Sequence, residues 1–433
     1  MKFVTKLFIL IIFIFPSKLW SLEVLDLKTK DGISFWFIED NSVPIISMSI
    51  SFKGGSYFDK KGKEGTSSFV AALLDEGSED MNAMEFQEKV KSLGMKLNIS
   101  TSKDEFNITF QTVSKNKEES FSLLRQAITK PAFSLDSIEK VRNQINANLR
   151  INESNIQQLS SEVFDENFYI GHNFSKSELG TTDSVSKINR DDLVNYTKKY
   201  FTKSNMVIGI SGNIKKEELK KLVDSTLSRL EEGNEKDFYI PKFSKLNKGT
   251  YTKRIETPQT SVIFGHHGLM RNDNDYFAIR VANYILGGGG FQSKLYKKIR
   301  EERGLVYSIY SYLIPFLNDG IILGGFQTKN DSVQETIDLV KKQWKESKYK
   351  GVTQEELSAA KSYFIGSFSR NYTSTLSIAS LLQVVQKYNL GIDYFTKRKE
   401  IIENLSVEYI NEVSQNFFDE KKLFFAIVGN PDK

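Results

Sequence analysis

Arg300 and Tyr307 hold the clearest chemical potential in this sequence, because their surroundings dictate where they end up. The stretch from Leu286 to Tyr312 reads LGGGGFQSKLYKKIREERGLVYSIYSY. Glycines lead into a helix with Leu295 and Ile299 on one face, and Gly304 has the position of a left-handed C-cap. An alternating strand begins at Leu305. That order brings Arg300, near the helix C-terminus, and Tyr307, on the strand, to the same end of the element. A fixed guanidinium and a phenol together make a clamp for a peptide carbonyl and its tetrahedral oxyanion. A plain structural reading stands beside it, since basic residues favour helix C-termini and tyrosine favours strands.

A second stretch has the spacing for chemistry but not the residues. In GTSSFVAALLDEG, Gly65 to Gly77, a Gly-x-x-His-x-x-Glu-His pattern would set two imidazoles at i and i+4 with a general base beside them, the arrangement that binds a catalytic zinc. The two His positions are Ser68 and Ala72, and the Glu position is Ala71. Alanine neither binds a metal nor moves a proton, so this helix is expected to serve packing. The distal carboxylate such a site needs is missing as well, around Ala147 and Asn148.

The three histidines do not replace the site. His172, in a polar Gly-His-Asn loop, reads as solvated. His266 and His267 are neighbours on a strand-like segment and point to opposite faces. No Gly-x-Ser-x-Gly elbow supports serine chemistry. The Gly287–Gly290 run lacks the Gly-Lys-[Ser/Thr] of a phosphate loop.

The elements that must position these residues come in two sets. Ile188 to Asn213 aligns without a gap on Leu405 to Asn430. Each copy runs from an amphipathic helix through an aromatic pair and a polar turn into an apolar strand closed by Gly-Asn. A repeat this long implies duplication of a whole domain. The halves are expected at about 22–232 and 249–433, joined by a polar linker at 233–248. In the first half, Val43 to Phe52 reads as a strand ended by Gly54-Gly55, and Glu85 to Leu93 as a helix ended by Gly94. Lys96 to Ser102 and Glu105 to Val113 read as a hairpin. Helices are expected at about Glu118 to Ile128 and, as one long element, at about Ser137 to Ser160. The fold class is therefore α+β: two homologous αβ sandwich domains, mainly antiparallel sheets with helices on one face.

Composition narrows the setting. A chain of 433 residues, 39% apolar and 26% charged, suits two globular domains. Residues 1–21 read as a secretory signal peptide: Lys2 and Lys6 precede an apolar run from Leu7 to Phe15, followed by Pro16 and Ser21. On that reading the mature chain has no integral membrane segment. Without Lys2, Lys6 and Lys18, 56 basic residues face 54 acidic ones, too even a balance to point to nucleic acid. The sequence contains no cysteine, hence no disulfide and no lipoprotein acylation site. A bacterial periplasmic location follows as the expectation.

These residues resemble peptidase family M16, the pitrilysin, insulinase and mitochondrial-processing-peptidase type, and most closely its short M16B-like members. The likeness covers nearly the whole mature chain: the duplication, the Gly-Lys-Glu-Gly entry at 62–65, Gly77, and the Arg-Glu-x-Arg-Gly-Leu-x-Tyr run from Arg300 to Tyr307. It implies that Arg300 and Tyr307, from the second domain, complete a zinc site housed in a first domain. It equally implies that Ser68, Ala71, Ala72 and Ala147 stand where active members carry ligands and base. Short members commonly work in pairs, one chain with zinc and one without. The resemblance therefore implies a non-zinc-binding subunit with no cofactor of its own. It would be inactive alone, would form a heterodimer with a zinc-bearing M16 paralogue, and would help bind unfolded peptides by strand addition to a sheet edge. Two other readings remain: a non-catalytic periplasmic peptide-binding or scaffold protein, and a residual hydrolase with a different metal site.

Overall fold

The computed structural model describes residues 23–431; the expected signal peptide lies outside them. Eleven strands among the described residues form two sheets. The first contains β1 (Leu25–Lys28), β2 (Ser34–Glu39), β3 (Ile45–Lys53), β4 (Lys96–Thr101), β5 (Glu105–Val113) and β6 (Met206–Gly212), in the order β1-β2-β6-β3-β5-β4. The second contains β7 (Gly249–Arg254), β8 (Gln259–His267), β9 (Val306–Pro315), β10 (Gly320–Lys329) and β11 (Phe424–Gly429), in the order β7-β11-β8-β10-β9. No described helix is long and apolar enough to cross a membrane.

The internal repeat explains the match between the sheets. Its first copy is the helix Arg190–Tyr200 followed by β6, and its second is the helix Val407–Phe417 followed by β11. Each strand lies between a parallel and an antiparallel neighbour: β6 between β2 and β3, β11 between β7 and β8. Gly212 and Gly429 close the two copies at the same φ of 152°.

Period-two alternation sorts the side chains of each strand between the two faces of its sheet. On β3, Ile46, Met48, Ile50 and Phe52 are fully buried, beside Phe106, Ile108 and Phe110 of β5. Phe69, Val70 and Leu73 of the helix Thr66–Leu73 and Ile138, Val141 and Ile145 of the helix Leu135–Ser154 join the same cluster. Burying each such side chain contributes about 1.5–3 kcal/mol as an upper estimate. The second core gathers around Phe264, Phe425 and the fully buried Trp344.

Two expectations need correction. The long helix from Ser137 to Ser160 is two helices, Leu135–Ser154 and Ile156–Phe168. Asn155 breaks it: its backbone is extended, and its side chain accepts from the amides of Gln157 and Gln158 as the N-cap of the next helix. Nor do helices keep to one face. The small polar face of the first sheet, with Ser47, Ser49, Gly209 and Ser211, is covered by the helix Thr375–Lys387 from the second half. Gly209 permits the approach, since a Cβ there would lie 2.1 Å from the Ala379 carbonyl oxygen. Reciprocally, Ile156–Phe168 lies on β8 and β11, stacking Phe164 and Phe168 near Phe424 and joining Ser160 to Ser261 at 2.8 Å. Each sheet is thus covered by a helix from the other half. Ile240 and Phe243, in the polar stretch 233–248, pack into that same cluster between the halves.

Candidate functional site

The helix Thr66–Leu73 starts from Gly65, whose φ of 94° suits glycine. Asp59 anchors this end, accepting from the Gly65 amide at 2.8 Å and the Ser67 amide at 2.9 Å. Burial pushes the Asp59 carboxyl up to about 7 against these hydrogen bonds. Ser68 donates to the Glu178 carbonyl at 2.6 Å, Ala71 is half-buried, and Ala72 is exposed. The helix Leu135–Ser154 packs alongside and carries Ala147 exposed. So the two helices that would share a metal do meet, with serine and alanine at every ligand position. This donor set does not fit zinc: one hydroxyl already spent on a carbonyl, and methyl groups. Among the described residues no group of three or more His, Cys, Asp or Glu could hold an ion.

The histidines are bound into the fold. His172 is buried, contrary to the solvated loop expected. Its Nδ1 accepts from the Phe174 amide at 3.3 Å, and its ring packs against Tyr57, Phe174 and Phe243. The sequence concealed this because Phe243 comes from the stretch between the halves. His266 and His267 do point to opposite faces. His266 is buried near Trp344 and Phe417, and burial lowers its pKa to about 4. His267 is exposed, 2.6 Å from Asp319 Oδ1.

Beside Ser68 lies a cleft of about 470 Å³ that sequence reasoning missed, walled by Glu153, Glu162, Asp165, Glu166 and Glu178. Behind two of these carboxylates lies the buried Lys103, its ammonium 2.7 Å from Asp165 and 3.8 Å from Glu178 and donating to the Phe174 carbonyl at 2.9 Å. Burial raises the Asp165 carboxyl to about 6, although Lys103 opposes the shift, and raises Glu178 as well. The spacing of Glu162, Asp165 and Glu166, on one helical face, was the available signal.

Arg300 and Tyr307 sit where the second half ends a helix and starts an edge strand. The turn Tyr296–Glu301 is a π-helix, and Gly304 follows at φ 65° with its amide donating to the Arg300 carbonyl at 3.0 Å. Arg300 is exposed, its guanidinium 5.2 Å from the Tyr296 ring. Tyr307 is 89% exposed. The reason is local: pairing of β9 with β10 steps from Ile309↔Phe326 to Val306↔Thr328, so Tyr307 and Ser308 together face Gln327. A β-bulge of this kind turns both side chains outward, and bulges commonly re-aim side chains beside active sites.

This architecture has relatives. Residues 36–182 match the family model described as insulinase (peptidase family M16), and residues 187–364 match the peptidase M16 inactive domain. A Helicobacter pylori protein named non-peptidase homolog YmxG is 29% identical over 407 residues, 91% of each chain. A Bacillus subtilis protein named uncharacterized zinc protease YmxG is 24% identical over 401 residues, covering 90% of this chain and 95% of that one. The crystal structure of a peptidase M16 inactive domain from Pseudomonas fluorescens superposes with a TM-score of 0.89 at 25% identity, over 95% of this chain and 98% of that one. With 36–182 and 187–364 matched by models of one family, the chain belongs to peptidase family M16.

Proposed function

We propose that this protein is the zinc-free subunit of a two-chain M16 peptidase. It closes over a zinc-bearing M16 paralogue, helps hold unfolded peptides, and lends Arg300 and Tyr307 to the partner's reaction. The carrying observation is the contrast between the halves: a well-packed helix emptied of ligands at Ser68, Ala71, Ala72 and Ala147, and an exposed guanidinium and phenol at the rim of the second sheet.

In the partner's site, zinc supplies the activated water and polarises the scissile carbonyl. This chain's share is positional. Arg300 and Tyr307 donate hydrogen bonds toward the oxygen on which charge develops. The edge strands β4 and β9 offer unpaired backbone groups on which an extended peptide can add a strand. The names carried by the relatives, non-peptidase homolog and inactive domain, support the reading. The signal-like first 21 residues support a periplasmic site of action, which cell fractionation tests.

The experiment is co-expression with a zinc-bearing M16 paralogue and measurement of peptide turnover. Arg300→Ala and Tyr307→Phe each lower the turnover of the complex by about 10²-fold, with assembly unchanged. Unaltered turnover in both variants removes the assignment. The acidic cleft beside Ser68 favours a second reading, a non-catalytic binder of peptides rich in Lys and Arg. It is distinguished by peptide affinity that persists with no peptidase in the assembly.

A further inference from the structure

The second half contains a cavity of about 590 Å³ to which four arginines contribute: Arg271, Arg280, Arg370 and Arg398. Among the described residues no aspartate or glutamate lines it. Asp273, Asp275 and Asp393 are engaged elsewhere: Asp275 accepts from Tyr409 at 2.6 Å, Asp273 from the Asp275 amide at 2.9 Å, and Asp393 pairs with Lys397.

Two of the guanidiniums are deep. Arg271 is 8% and Arg398 4% exposed. Arg271 donates through Nη2 to the Tyr394 hydroxyl at 2.6 Å, while its Nη1 is buried with no partner among the described residues. Arg398 donates to the Phe364 carbonyl at 3.1 Å. Aromatic faces carry part of the charge: Arg271 lies 4.3 Å from the Tyr276 ring, Arg398 4.1 Å from Phe368, and Arg280 5.2 Å from Phe364. Burial first, and then the like charges of Arg280 and Arg271, lower the pKa of Arg398. Arg370 stands exposed near the ring of Tyr363.

Cation–π contacts offset only part of what desolvating a charge costs without a counter-ion. Guanidiniums lining one cavity with no carboxylate on its wall complement a planar or tetrahedral oxyanion held by charge-assisted bonds. The volume far exceeds that of a free inorganic ion, and the aromatic walls suit an apolar body.

We propose that this cavity binds a small organic oxyanion, a phosphate ester or carboxylate on a ring-bearing or apolar body, with Arg271 and Arg398 holding the charged group and Arg280 and Arg370 closing around it. The assignment is independent of the Arg300 and Tyr307 reading. It is tested on the whole chain by calorimetry and thermal shift, with phenyl phosphate, phenylacetate, phenol and inorganic phosphate as probes. Phenyl phosphate or phenylacetate is expected to bind and raise the melting temperature, and which of them binds more tightly identifies the charged group. Phenol is expected to have no effect. Arg271→Met weakens binding by about tenfold or more. Should that variant fail to fold, Arg370→Gln at the exposed rim and Arg280→Gln report the same loss with unchanged circular dichroism. Equal affinity in Arg370→Gln and Arg280→Gln, absence of binding by both organic anions, or inorganic phosphate binding as tightly as phenyl phosphate would overturn the proposal.

Discussion

At the scale of single residues, Asp59 shows how a buried carboxyl can hold an emptied site in shape. Its carboxyl titrates near 7 in the folded chain against an ordinary value of 3.8, because burial outweighs the amides of Gly65 and Ser67. A carboxyl raised by folding keeps its proton in the native state after the unfolded chain has lost it. Its contribution to stability is therefore full below pH 3.8 and is lost as pH rises toward 7. Urea unfolding across that window should show Asp59→Asn flattening the decline, by roughly 1.4 kcal/mol for each pH unit crossed. The substitution itself costs about 1 kcal/mol at low pH, where a charged acceptor is not at issue. A wild-type profile already flat from pH 4 to 7 contradicts this role for Asp59. Little of this was legible in the sequence. The identities of Ser68, Ala71, Ala72 and Ala147 were, because a missing imidazole is a fact about residue type. The partners of Lys103 and the rings around His172 were not, because they come from segments far apart in the chain; those of Asp59, at Gly65 and Ser67, are local but set by a turn that apolar periodicity does not reveal.

At the scale of elements, the two crossing helices decide how the halves are joined. The helix Thr375–Lys387 brings Lys387 to Glu105 at 2.5 Å, with Gln383 and Ser51 also on that carboxylate at 3.2 and 2.5 Å. Both charged side chains are almost wholly buried, 12% and 10% exposed. Lys387→Met leaves the Glu105 carboxylate without its cation and should cost about 3–5 kcal/mol, read by urea unfolding. Gly209→Val should do comparable damage by forcing the helix off the sheet, read as lost amide protection over 375–387 with protection in the second sheet retained. Loss below about 1 kcal/mol in both variants would mean that the helix is not needed to hold the halves together. The strands and the hairpin were legible because their alternation is local. The break at Asn155 was missed because apolar spacing continues across it, while its N-cap chemistry depends on one side chain.

At the scale of the molecule, duplication and exchange act together. Each half supplies a sheet, and each sheet is covered by a helix from the other half, so neither half is expected to be stable alone. The repeat from Ile188 to Asn213 disclosed the duplication; the exchange left no trace in local periodicity. Within this frame the first half retains the shape of a metal site without its donors, and the second presents Arg300 and Tyr307 to solvent. On the reading proposed above, catalysis is a property of a pair of chains. The most direct test is metal analysis and peptide turnover of the purified chain, alone and mixed with a zinc-bearing M16 paralogue. No bound zinc and no turnover are expected of the chain alone, and turnover in the mixture should fall when Arg300 is replaced by alanine. Stoichiometric zinc and unaided cleavage of unfolded peptides by the isolated chain would contradict a division of labour between two subunits.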